Sequence, residues 1–489
     1  MKNLVRDVQQ GLRIYSLSKS ETAEAKLWLA RRADGAKRLC IQGNAAGFVG
    51  DQEGDVMLCP LTAENAAELR ARLEWLRPVC LGLDSPSFGF GDRLGLATPG
   101  HARAARSLGP PARGIAPVFA QQSVRENART GRTPQEVLDD AMWGVFQTGW
   151  RAPWGADADH LKTTKAVGDF VEAGYTLYTI DPGDHVDDKA HSAGRTELEA
   201  KVEALPWAML ESDPREMEGR YLEQTFDLEG WSAAFDRQTL YRAAAKYGRA
   251  IAHTARMYRY LVEQMGNEAF ELEVSVDETG TPTSPEEHLY IASELKRLGV
   301  AWVSLAPRYV GRFEKGVDYI GSVREFEAEL TKHAAIARAF GPYKLSLHSG
   351  SDKFSIYPII ARLTEGLVHV KTAGTSYLEA LRTVALVDPE LFRSILALAR
   401  RRYEEDRATY HVSADLKRVT APDEPGDAEL PDLLKQFDAR QVLHVTFGSL
   451  LDQLGDRLRE TLASHEEIYA ELLKSHFQQH LSPFGGGEE

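Results

Sequence analysis

Eight short apolar runs, mostly separated by helix-like stretches of roughly 20 to 40 residues, predict an α/β fold: a closed (β/α)8 barrel of the TIM type. The chain has 489 residues, enough for such a barrel with additions. In order the runs are "VCLGLDS" (79–85), "IAPVFAQQS" (115–123), "WGADADH" (154–160), "YTLYTID" (175–181), "FELEVSVDE" (270–278), "AWVSLAP" (301–307), "KLSLHSG" (344–350) and "LVHVKTAG" (367–374). Only the gap from Asp181 to Phe270 is much longer, and it contains helical patterns such as "QTLYRAAAKYGRAIAHTARMYRYLVEQM" (238–265). A helical insertion at about 190–266 is therefore expected inside a barrel that runs over 78–385.

The flanks read differently. Residues 1–77 hold "RLCIQGNAAGFVG" and "VMLCPLT", then an amphipathic helix over "AENAAELRARLEWL", a small N-terminal α/β segment. Residues 386–489 form a mainly helical C-terminal extension, with one strand-like piece, "RQVLHVTFG", and a frayed tail, "SPFGGGEE". Its helices offer a surface on which a homo-oligomer could form.

Composition narrows the function. Apolar content of 43% and charged content of 27% are those of a soluble globular protein. A formal net charge of −14 argues against nucleic acid or an anionic membrane as the main partner, since both reward clustered Lys and Arg. Cys40, Cys59 and Cys80 lie apart with no CxxC pair, which suggests neither a zinc knuckle nor a disulfide framework and points to a reducing compartment. No window reaches the about 20 apolar residues that span a bilayer, and no signal peptide is evident, so a cytoplasmic location is expected. The glycines of "SFGFGDRLG" (87–95) do not make a dinucleotide fingerprint. Ser349 lacks the G-x-S-x-G frame of a hydrolase.

In a barrel strand alternate side chains face the interior, and the last inward residue at the C-terminal end meets the substrate. That parity turns Lys344, Ser346 and His348 inward, groups Glu273 with Ser275 and Asp277, pairs Asp157 with Asp159, and sets His369 with Lys371. His160 follows Asp159 where the strand must end if both are to face the site. Buried charges must be paired or must coordinate a metal. Two readings stay open: a divalent metal on imidazole and carboxylate, or carboxylates working alone as general acid and base. Glu273 is also deep enough to pair with Lys344 or Lys371 instead. Ser284 with Glu287 reads as a helix capping box, and Asp181 and His185 in "TIDPGDH" sit at another strand end.

The motifs "GADADHLKTT", "YTLYTIDPGDHV", "EVSVDETGTPTSPEEH", "FEKGVDYIG", "LSLHSGSDKFSIYP" and "HVKTAGTSYLEAL" resemble the tagaturonate epimerase family of bacterial hexuronate metabolism. The similarity extends from about Pro78 through "YHVSADL" (410–416) to "LHVTFGS" (443–449). It implies a metal-dependent isomerase interconverting tagaturonate and fructuronate. Inversion at a carbon β to the ketone, which has no acidic C–H, suits retro-aldol chemistry. On this reading His348, His160 and Asp277 hold a divalent cation (zinc, manganese, nickel or iron). Asp159 accepts a proton and Glu273 donates one, and Arg308, Lys353, Lys371 and Thr372 bind the substrate's carboxylate and hydroxyls. The alternatives are a class II aldolase-like lyase, a ketohexose (fructose/tagatose) 4-epimerase and a non-catalytic sugar-binding barrel.

Overall fold

The computed structural model describes residues 12–109 and 114–485. The chain begins with an antiparallel sheet of six strands, β1 (Leu12–Ile14), β2 (Ser20–Glu21), β3 (Ala25–Arg32), β4 (Lys37–Gly43), β5 (Asp51–Glu53) and β6 (Val56–Cys59), in the order β1-β3-β4-β6-β5 with β2 also on β3. Alternation along β3 sorts its side chains: Leu27 and Leu29 join the main core, while Trp28 and Ala30 join a small cluster on the other face. The helix Ala63–Arg72 follows, capped by Thr62.

The barrel closes as expected. Its strands are β7 (Ser87–Phe90), β8 (Ala116–Ser123), β9 (Gly155–Leu161), β10 (Leu177–Ile180), β13 (Glu271–Ser275), β14 (Ser304–Ala306), β15 (Lys344–Leu347) and β16 (Val368–Thr372), all parallel, with β16 returning to β7. Between β10 and β13 lie short helices and a hairpin of β11 (Thr225–Leu228) and β12 (Trp231–Ala234), so the insertion is not wholly helical. The helix Arg237–Met265 then leads into β13 and packs on the neighbouring helix Pro285–Arg297. The capping box of Ser284 and Glu287 forms as expected.

Three expectations are corrected. The first barrel strand is "SFGF" (87–90), not "VCLGLDS" (79–85). Ser87 and Gly89 face the interior and Phe88 and Phe90 face the outer helices, where Phe90 stacks on His101 at 4.9 Å and packs on Phe477. The segment before it runs across the lower mouth instead. The Val79 N–H donates to the Trp154 carbonyl (2.8 Å), the Thr176 hydroxyl donates to the Val79 carbonyl (3.2 Å), and the Gly82 N–H donates to Glu271 (2.5 Å), all at the N-terminal ends of strands. Its apolar residues read as a strand, but they lie only partly buried across that end, Val79 being 41% exposed. "RQVLHVTFG" lies in helices, Phe437–Val445 and Phe447–Ser464, its β-branched residues overridden by packing. Of the tail, residues 482–485 are placed and Phe484 is buried against Phe88 and Tyr357, while 486–489 lie outside the described residues.

We propose the division 1–77, 78–385 and 386–489 for the chain, because the segment across the lower mouth begins near 78 and the last barrel helix, Thr375–Val387, is followed at once by Pro389–Asp406.

Gly89 leaves room for Gln121: a Cβ there would lie 3.1 Å from Gln121 Cγ and 3.2 Å from its Oε1. Gly89→Val should therefore destabilise the protein by about 1–3 kcal/mol in a denaturant titration. An unchanged midpoint would mean that Gln121 yields freely.

Candidate active site

Lys371, on β16, lies at the barrel axis. Its ammonium is 2.7 Å from Asp157, 2.7 Å from Asp159 and 2.8 Å from Glu273, and it donates to the Thr179 hydroxyl at 2.6 Å. Burial pulls Lys371 down, but the three carboxylates hold it well above the usual lysine range. For Asp159, burial is outweighed by Lys371 and the two imidazoles, and the carboxyl is held low. Asp157, the deeper of the pair, is pushed up to about 6 by burial.

The next layer up is built on Glu273. This carboxylate, fully buried, meets His348 Nε2 at 2.7 Å, leaving the other ring nitrogen, Nδ1, 3.0 Å from Asp277. Ser275 donates to Asp277 at 2.5 Å and fixes its rotamer. His160 stands opposite, its ring centroid 4.9 Å from that of His348, with Nδ1 held 3.2 Å from Asp181 and Nε2 3.8 Å from Asp159.

Adjacent Asp159 and His160 reach the same site through a bulge, not through an early strand end. Tyr178 pairs with Ala158 but Ile180 pairs with Leu161, and His160 has φ 55°, a left-handed conformation that non-glycine residues avoid. Such a conformation costs on the order of 1–3 kcal/mol and persists where the surroundings impose it.

One ligand atom each from His160, Asp277 and His348 lie within 4.8 Å of one another. The chemistry of this donor set suits a divalent cation: two imidazoles and one carboxylate face a common point, and each imidazole has its second nitrogen on a carboxylate, Asp181 or Glu273. The electrostatics agree. Burial pushes His348 down, but Asp277 and Glu273 more than offset it and raise it to about 10; burial likewise lowers His160, and Asp159 and Asp181 raise it to about 9. The surrounding carboxylates favour positive charge at this point, carried either by protons on the rings or by an ion that displaces them.

The remaining predicted residues separate. Arg308 lines a cavity of about 160 Å³ beside Asp277 and His348, together with Arg125, Glu278, Tyr309, Lys315 and Tyr410. Thr372 is fully buried and donates to the Gly89 carbonyl (2.7 Å). Lys353 is fully buried too, its ammonium donating to the carbonyls of Glu314 (3.0 Å), Val317 (2.5 Å) and Ser351 (2.9 Å). Lys353, Lys371 and Thr372, expected to bind substrate, thus have their polar atoms on protein groups in this structure. Glu273, expected as a proton donor, is fully buried beneath His348. Arg125 and Lys315 were not singled out from the sequence, although "FEKGVDYIG" contains Lys315; loop residues carry no periodicity to assign them.

Fold and site together are those of a (β/α)8 enzyme acting on a small oxygen-rich molecule. Residues 11–484 match the UxaE family, described as tagaturonate epimerase. A "Tagaturonate/fructuronate epimerase" from Thermotoga maritima is 42% identical over 486 residues, 98% of each chain. A glycerol-complexed crystal structure of the fructuronate-tagaturonate epimerase UxaE from Cohnella laeviribosi superposes with a TM-score of 0.93 at 38% identity, covering 99% of both chains. The native form of that enzyme gives 0.92, over 99% of this chain and 100% of that one. The chain belongs to the tagaturonate epimerase family and is an epimerase acting on sugar acids.

Removing the Lys371 ammonium would leave three buried carboxylates facing one another. Lys371→Met should cost about 3–5 kcal/mol in chemical denaturation, and Asp157→Asn in the same chain should recover part of it. A variant as stable as the parent would show that the cluster is not the ion-paired core described.

Proposed function

We propose that this protein interconverts tagaturonate and fructuronate by retro-aldol and aldol steps, with a divalent cation held by His160, Asp277 and His348. The observation that supports this best is the meeting of that donor set with a carboxylate, Asp159, kept ionised at the same mouth. The relatives' names supply the substrate pair. We read the location as cytoplasmic; no helix among the described residues is long and apolar enough to cross a membrane.

A carbon β to a ketone has no acidic C–H, so its inversion requires a bond other than C–H to break. Asp159 takes the proton from the hydroxyl on that carbon, the C–C bond to the α-carbon opens, and an aldehyde and an enediolate form. The aldehyde turns its other face, the same bond re-forms, and a proton returns to the new hydroxyl. A bound divalent cation supplies Lewis-acid stabilisation of the charge that develops on the ketone side. Lys371 and Gln121, which donate to the two oxygens of Asp159 (2.7 and 2.9 Å), hold the base in one orientation. Glu273 acts on His348 and not on substrate.

The test is a chromatographic assay with tagaturonate. Fructuronate should appear, vanish on chelation and His348→Ala substitution, and return with added metal only in the parent. In deuterium oxide the carbons should gain little label. Release of free aldehyde would favour an aldolase, and label next to the carbonyl an enediol isomerase. Asp181→Asn should weaken metal affinity by about 10- to 100-fold in a chelator competition, because it removes the partner that orients His160; unchanged affinity would take His160 out of the ligand set.

A further inference from the structure

The cavity beside the cluster is unbalanced in charge. Of its cations, Arg125 is paired with Glu278 at 2.9 Å, and Arg312 lies 3.4 Å from Glu314. Arg308 makes only a long bond to the Asp277 carbonyl (3.4 Å), and its buried Nε has no partner. Lys315 has neither a hydrogen bond nor an ion pair among the described residues. Among the carboxylates, Asp277 belongs to the His160 and His348 cluster, and Glu314 is already taken by the Ser413 N–H and hydroxyl and by Gln441. Glu278 also lines the cavity and acts on Lys315, but its direct partner is Arg125. Arg308 and Lys315 therefore line the cavity with no ion-pair partner of their own among the described residues, next to the His160 and His348 cluster.

Lys315 is also presented by a loop that is fastened from behind. Lys353 takes the carbonyls of Glu314 and Val317, and Arg440 donates to the Gly316 carbonyl at 2.5 Å. Gly316 turns the chain at φ 71°, with Leu378 and His444 close behind it. An ordinary surface lysine has no need of two buried cationic side chains holding its own backbone. Such fastening lowers the entropy lost when its ammonium binds a ligand.

We propose that Lys315, with Arg308 on the wall of the same cavity, is the specificity-determining anchor for the substrate's carboxylate, and so sets six-carbon keto acids above neutral ketoses. This rests on the epimerase reading above. An ammonium and a guanidinium converging on a cavity next to the candidate cation site would hold the far end of the sugar while its bond opens and closes, which keeps the fragments from leaving.

The test uses the metal-loaded enzyme. Lys315→Met should raise the KM for tagaturonate by about 10- to 100-fold, the range for losing a charged hydrogen bond, with a much smaller change in kcat. Lys315→Arg should recover most of the loss. In calorimetry the same Lys315→Met change should weaken gluconate, an anionic six-carbon probe, far more than sorbitol, its neutral counterpart. The proposal is overturned if KM is unmoved, if kcat falls while KM holds, or if gluconate and sorbitol weaken alike. Lys315→Gln replaces Lys315→Met should the latter fail to fold in a thermal melt. Absence of tagaturonate turnover in the parent enzyme would instead refute the epimerase reading, and the gluconate comparison would still decide the anion anchor.

Discussion

One ammonium inside the barrel fixes most of what lies above it. Lys371 is surrounded by Asp157, Asp159 and Glu273, and it is the largest single influence that keeps Asp159 and Glu273 ionised against burial. Because Glu273 is held there, its partner His348 is held as well, and through His348 so is Asp277. The chain of contacts runs from the axis to the mouth without a flexible link. A strand-borne network of this kind sets the geometry of the mouth more tightly than loops alone can.

The loops are fixed by a different device. Asp352, in a left-handed conformation, binds Arg440 at 2.9 Å and His476 at 3.1 Å, and its N–H donates to His480. Next to it, Lys353 holds the loop bearing Lys315. The helices after residue 388 thus fasten the segments that follow β15 and β14, while Tyr410 of the same extension lines the cavity itself. Their role is visible only in three dimensions.

Much of the barrel could be read from period and composition, because a strand buried on both sides writes its interior residues into alternate positions. Glu273, Asp277, His348 and Lys371 stand at such positions. Three things escaped this reading. β7 alternates small and aromatic residues, with a glycine inside, and looks like a loop; the segment across the lower mouth is apolar and looks like a strand. His160 reaches the site through a backbone irregularity that alternation cannot express. Lys353, Lys371 and Thr372 have the right chemistry to bind an anion, but partners distant in sequence, such as Asp159 for Lys371 at a separation of 212 residues, engage them first.

The packing above residues 79–82, which cross the lower mouth, has a consequence for traffic. The interior above that segment is filled by side chains, Lys371 and its three carboxylates among them, so a substrate and its product enter and leave at the C-terminal end, past the groups that line the cavity there. Arrival and departure share one door, and a molecule lodged in it bars the next.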